Sequence, residues 1–228
     1  MSTAPAVVLV HGLASSFDLN WRRTGLADLL ADAGREVLAV DLLGHGSAPA
    51  PHDPAAYADL GARVLEALPD DGAAVDAVGF SLGARVLLET GAAHPERFGR
   101  LVIGGVGANL LAEQDTEPLS VALEAGDPGA PGILGLFVRL AAGSGSDPLA
   151  LAALLRRPAV PLTADRLRAV AGPTLVVLGD RDPAAPGEPL VDALPDARLR
   201  LLRGVDHFAT PTNFGFLDAT LGHLDALG

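Results

Sequence analysis

The chain has 228 residues, 49% hydrophobic, 19% charged and 4% aromatic, which argues against disorder and leaves little for base stacking. Its 28 acidic and 16 basic residues, every basic one an arginine, give a formal net charge of −12, a poor match for nucleic acid or an anionic membrane. With no cysteine there are no disulfides and no thiolate metal sites.

From the N-terminus, the apolar run Ala6 to Val10 is too short for a secretory signal, and no later run approaches the ~18 residues of a spanning helix. A soluble, cytoplasmic protein without a membrane span is expected. Val7–Val10 reads as the first strand. Leu26, Leu29, Leu30 and Ala33 follow helical spacing, with Gly34 as the stop. Val37–Val40 is the second strand, and a helix is expected over 54–68, opening at a proline and carrying Leu60, Val64, Leu65 and Leu68. Val75–Val78 is the third strand, followed at once by a helix over 82–93. Leu101–Ile103 is the fourth.

From Leu111 to about Val170 no strand is expected. Two turn-forming segments there, 126–132 and 143–148, flank an apolar helical face of Ile133, Leu134, Phe137, Leu140 and Ala141. This stretch reads as a short helical insertion at the sheet's edge. Leu175–Leu178 is the fifth strand. Arg198–Leu202 alternates Arg and Leu, as an edge strand with one wet face would. A last helix is expected over 211–227, with Phe214, Leu217, Leu221 and Leu224 at helical spacing. Strands apolar on both faces, alternating with helices, predict an α/β fold: a doubly wound, mostly parallel sheet flanked by helices. Right-handed crossovers then place every strand's C-terminal end on one edge.

Three groups fall just past strand ends on that edge. Gly79-Phe80-Ser81-Leu82-Gly83 joins a strand to a helix, so Ser81 sits in a tight turn with the helix's free N–H groups behind it. Gly179-Asp180-Arg181-Asp182 follows the fifth strand, and Val205-Asp206-His207-Phe208 the sixth. A nucleophilic serine needs a base, and the base needs an orienting carboxylate; here the chain order is Ser, Asp, His. Asp180, Asp182 and Asp206 are all placed to orient the histidine. The competing readings are a helix cap for Ser81, a backbone-bonded loop histidine for His207 and turn formation for Asp182.

With His11-Gly12 after the first strand and Asp41-Leu42-Leu43-Gly44-His45-Gly46-Ser47 after the second, these motifs resemble the α/β-hydrolase superfamily over essentially the whole chain. The resemblance implies Ser81 as nucleophile, Asp182 as the acid, His207 as base, and the backbone N–H groups of Leu13 and Leu82 as oxyanion donors. The core is then residues 1–110 and 171–228, with the insertion over 111–170 read as a lid and an independent second domain as the alternative. In relatives the catalytic histidine commonly follows glycine, whereas Asp206 precedes His207. Beginning almost at its first apolar strand, the chain is expected to lack the two N-terminal strands of larger relatives.

Trp21 reads either as a pocket residue or as an anchor of its loop, Asn109 as a substrate contact or a turn residue, and Phe137 as part of an apolar pocket wall. His11, His45 and Asp41 read as builders of the surrounding turns, and His52, His94 and His223 as solvated. No metal-ligand spacing and no phosphate-binding loop appears, so no metal and no cofactor is expected. The expected activity is cleavage of a small, largely apolar ester through an acyl-enzyme. The alternatives are the same chemistry on a thioester, lactone or C–C bond, or a receptor-like protein that binds a ligand with little turnover.

Overall fold

The computed structural model describes residues 4–227. Among them, six strands form one wholly parallel sheet: β1 (Val7–Val10), β2 (Val37–Val40), β3 (Val75–Phe80), β4 (Phe98–Gly104), β5 (Thr174–Gly179) and β6 (Ala197–Leu202), in the order β2-β1-β3-β4-β5-β6. All four residues of β1 and all six of β3 and β5 are buried, as a sheet covered on both faces requires. The β6 edge is the wet one, with Arg198 and Arg200 exposed.

Side chains of one strand alternate between two cores. Val8, Val10, Ala77, Leu101, Ile103 and Val176 face the helices α2 (Gly61–Glu66), α3 (Leu82–Ala93) and α8 (Glu188–Ala193). Val7, Leu9, Val78, Val102 and Val177 face α1 (Leu26–Asp32) and α9 (Phe214–His223). Truncating such a side chain, Leu87→Ala for instance, is expected to cost about 2–5 kcal/mol. At the edge opposite the strand C-termini, the buried Arg35–Asp76 pair at 2.6 Å is completed by Arg35 donating to the Leu224 carbonyl and Asp76 accepting from Arg100 N–H. Every polar end is satisfied, which is the condition for burying a charge pair.

Between β4 and β5 lie α4 (Glu117–Ala125), α5 (Ile133–Ser144), α6 (Pro148–Leu155) and α7 (Ala164–Leu167). The first three share a small core of Ala122, Leu123, Val138, Ala141, Leu151 and Ala152 that also takes in Ala14 from the loop after β1. No helix among the described residues is long and apolar enough to cross a membrane.

Four expectations need correction. The helix over 54–68 is broken into a 3-10 turn, Pro54–Tyr57, and α2, because Asp59 accepts the Ala62 N–H and starts a new helix. The last helix spans only Phe214–His223, capped by Asn213; Phe214 is 87% exposed, while Phe216, Leu217 and Leu224 form the buried face. His223 is not solvated but buried, accepting from Arg198 through Nδ1 and donating through Nε2 to the Pro173 carbonyl. On α5 the deepest positions are Gly135, Val138 and Ala141, and Ile133 is exposed.

Candidate active site

The loops after β1, β3, β5 and β6 meet at the sheet's C-terminal edge. Ser81, alone between β3 and α3, has φ 53° and ψ −110°, a conformation costly for a residue with a side chain. The turn holds because Ser81 N–H donates to the Gly104 carbonyl at 2.8 Å. It also needs Gly83, where any Cβ would collide with the Val10 carbonyl, so α3 starts hard against β1. The strained turn points Ser81 Oγ away from the sheet.

Oγ meets His207 Nε2 at 3.1 Å, and His207 Nδ1 meets Asp182 Oδ2 at 2.8 Å. A carboxylate only accepts, so Nδ1 carries the proton and Nε2 offers its lone pair to the Ser81 hydroxyl. Asp182 is 3% exposed, and its other oxygen accepts the Ala184 N–H at 2.8 Å. The His207 ring packs against Phe80 and Phe208, with ring centres 4.9 and 5.2 Å away. Neither rival carboxylate reaches it. Asp180 accepts Gly204 N–H at 2.7 Å and Asp206 accepts Ala209 N–H at 2.9 Å, so each shapes its own loop.

The loop after β1 is braced by buried histidines. His11 Nε2 accepts the Leu42 N–H at 3.1 Å, and His45 Nε2 accepts the Ala14 N–H at 3.1 Å. Their Nδ1 atoms donate to the Gly12 and Leu43 carbonyls. Accepting requires neutral rings. Burial lowers the pKa of both, that of His45 to about 3, with the neighbouring His11 adding to the shift. Asp41 takes the N–H groups of Phe17 and Ser47 and the Ser47 hydroxyl; those bonds hold its pKa below the usual range against the opposing effect of burial. The N–H groups of Leu13 and Leu82 donate to no protein group among the described residues.

Ser81 and His207 open onto a cavity of about 340 Å³. Its walls are largely apolar: Leu13 and Leu19 on one side, Phe137 and Leu140 of α5 on the other, and Phe80 and Phe208 by the histidine. Phe137 packs edge-on against Phe208, ring centres 5.7 Å apart, so α5 touches the histidine loop directly. No acidic side chain lines the space, and no group of three or more His, Asp or Glu able to hold a metal occurs among the described residues.

The structure thus brings together Ser81, Asp182, His207, Leu13 and Phe137. It does not bring Trp21 or Asn109 to the cavity. Trp21 is fully buried and stacks on Phe216, ring centres 6.3 Å apart. Asn109 accepts the Gly107 N–H at 2.8 Å and so belongs to its turn. Phe208 and Asn20 line the cavity without having been singled out in the sequence.

A model of the alpha/beta hydrolase family matches residues 7–217. Among solved structures, the chain is similar to an enol-lactonase from Burkholderia xenovorans LB400, with 20% identity, a TM-score of 0.74 and coverage of 98% of this chain and 92% of that one. It is similar to a 2-hydroxy-6-oxo-6-phenylhexa-2,4-dienoate hydrolase from Rhodococcus sp. strain RHA1, with 20% identity, a TM-score of 0.73 and coverage of 98% and 91%. An esterase from Rhodococcus sp. ECU1013 has 25% identity, a TM-score of 0.69 and coverage of 100% and 93%. No curated protein matches the chain.

Proposed function

The chain belongs to the alpha/beta hydrolase family, and from that premise we propose that it is a serine hydrolase cleaving a small, largely apolar ester through an acyl-enzyme. One observation carries this reading: an unbroken hydrogen-bonded line from Ser81 through His207 to the buried Asp182, opening on an apolar cavity. His207 takes the Ser81 proton as Oγ attacks the ester carbonyl carbon. The N–H groups of Leu13 and Leu82 hold the resulting oxyanion, and Asp182 fixes the histidine tautomer and stabilises the imidazolium. His207 then protonates the departing alkoxide. A water activated by the same histidine cleaves the acyl-enzyme and restores Ser81.

The apolar side chains of Phe137, Leu140 and Phe208 support an apolar acyl or alcohol group, and the size of the cavity supports a small one. Residues 111–170 act as a short helical lid, with α5 closing one side of the cavity. Kinetics on p-nitrophenyl esters of increasing acyl length test the reading. Ser81→Ala is expected to lower kcat by about 10⁴ or more at an unchanged melting temperature. A variant within about tenfold of wild type would sink the assignment. Steady multiple turnover by the wild type separates an enzyme from a receptor-like binder.

A further inference from the structure

Asn20 does something the hydrolytic scheme above does not use. It sits in a π-helical turn, Asp18–Arg22, beside the buried Trp21, and its side chain lines the cavity. Its Oδ1 accepts the Gly12 N–H at 2.8 Å. A backbone N–H only donates, so the bond settles which way the amide faces, with Oδ1 toward the loop. On the far side of Leu13, the Ala14 N–H is held by His45 Nε2 at 3.1 Å, and His45 is itself anchored to the Leu43 carbonyl at 3.0 Å. The two N–H groups flanking Leu13 are therefore each tied to a side chain from a different part of the chain. Among the described residues nothing ties the Leu13 N–H between them.

The loop runs close to the nucleophile. A Cβ on Gly12 would lie 3.1 Å from Phe80 Cδ1 and 3.5 Å from Ser81 Cβ. A glycine allows that approach but leaves its own peptide planes free to swing; the plane carrying the Leu13 N–H is held at the Gly12 carbonyl by His11 Nδ1 at 2.8 Å, and the plane before it is held at the Gly12 N–H by Asn20.

We propose that Asn20 is a positioning residue for the reaction: by holding the Gly12 N–H while His11 holds the Gly12 carbonyl and His45 the Ala14 N–H, it completes the set of bonds that turns the Leu13 N–H toward the oxyanion. The proposal rests on the Ser81 acyl-enzyme reading. Trp21 supplies the other half of the arrangement, rooting the π-helical turn against Phe216 so that Asn20 is presented to the loop. A donor fixed before the reaction stabilises developing charge without reorganising, which is where such donors have their large effect.

Three readouts test it on wild type, Asn20→Ala and Asn20→Ser; the serine is too short to reach Gly12 and stands in if the alanine variant does not fold. They are kcat and KM for a p-nitrophenyl ester, the rate of fluorophosphonate labelling at Ser81, and affinity for an alkyl boronic acid, whose tetrahedral serine adduct puts an oxygen where the oxyanion forms. Loosening one donor is expected to lower kcat and labelling about 10- to 100-fold and to weaken the boronate in parallel, with KM within about threefold. A purely structural role would instead lower the melting temperature and leave the ratio of boronate affinity to KM unchanged. If wild type is labelled and both variants react within about twofold of it, the positioning role is overturned and the serine hydrolase reading stands. If wild type is neither labelled nor active on any ester, both readings fall.

Discussion

The sheet and the helices between β4 and β5 are built from different materials. The strands β1, β3 and β5 are mainly Val and Leu, buried completely and alternating between two large cores. Half of the core of α4, α5 and α6 is alanine: Ala122, Ala141 and Ala152 with Leu123, Val138 and Leu151, plus Ala14 from below. Small side chains let helices approach closely but remove less apolar surface from water, so each holds its neighbour less firmly. Between helices α4 and α6 an exposed electrostatic fastening adds to that core, with Arg156 bridging Glu117 and Glu124. To the sheet they are fastened by Ala153 and Leu154 of α6 and Leu167 of α7, which lie in the core beneath α2 and α3, by Phe137 on Phe208, and by the exposed His52–Asp147 pair at 2.7 Å. The sheet body carries Ser81, Asp182 and His207. The inserted helices supply Phe137 and Leu140, which line the cavity beside them.

If that division is right, substitutions on the sheet side change the rate for every substrate, and those on the helical side change which substrate is preferred. The largest effect belongs to Asp182→Asn. The amide keeps the size but donates where the carboxylate accepted, forcing the wrong histidine tautomer; kcat is expected to fall about 10³- to 10⁴-fold on all esters alike. A loss below about tenfold, or one confined to long esters, would break the comparison.

Acid should act next, and through the sheet side. His11, His45 and His223 have pKa values lowered mainly by burial, so the folded state keeps them neutral. The unfolded chain binds their protons below the ordinary histidine value of about 6.5, so stability is full above that pH and is lost as pH falls toward the folded values, about 3 for His45. Between pH 7.5 and 5, His45 alone is expected to remove about 2 kcal/mol of unfolding free energy. Trp21, the single tryptophan, lies in the sheet body and reports the loss in urea titrations. An unchanged midpoint at pH 5 would contradict neutral, accepting histidines in the folded state.

The smallest effect is expected from Phe137→Ala. It opens the cavity wall without touching Ser81 or His207, so KM should shift about three- to tenfold in a way that depends on acyl length, with kcat nearly constant. A uniform fall in kcat would mean that α5 positions the histidine loop as well as selecting the substrate.

The sheet was plain in the sequence because strands buried on both faces need apolar residues at every position, and little else writes Val-Val-Leu-Val. Ser81, Asp182 and His207 were legible because each follows a strand; among Asp180, Asp182 and Asp206 the residues alone left the choice open, the family resemblance pointed to Asp182, and the contact with His207 Nδ1 agrees with it. The alanine-rich helices were legible as helical but not in number, because α6 is apolar all round and shows no stripe. Trp21 was ambiguous because a large aromatic suits a pocket and a core equally, and the structure gives it to the core. Asn20 was invisible: its partner is a backbone N–H eight residues away, which leaves no pattern in the side chains.

The central claim, an activated serine at the sheet's edge, is tested most directly by fluorophosphonate labelling followed by peptide mass spectrometry, with Ser81→Ala as control. A single adduct on Ser81, absent from the variant, is the predicted result. Folded protein that takes no adduct, or takes it on another serine, would contradict it.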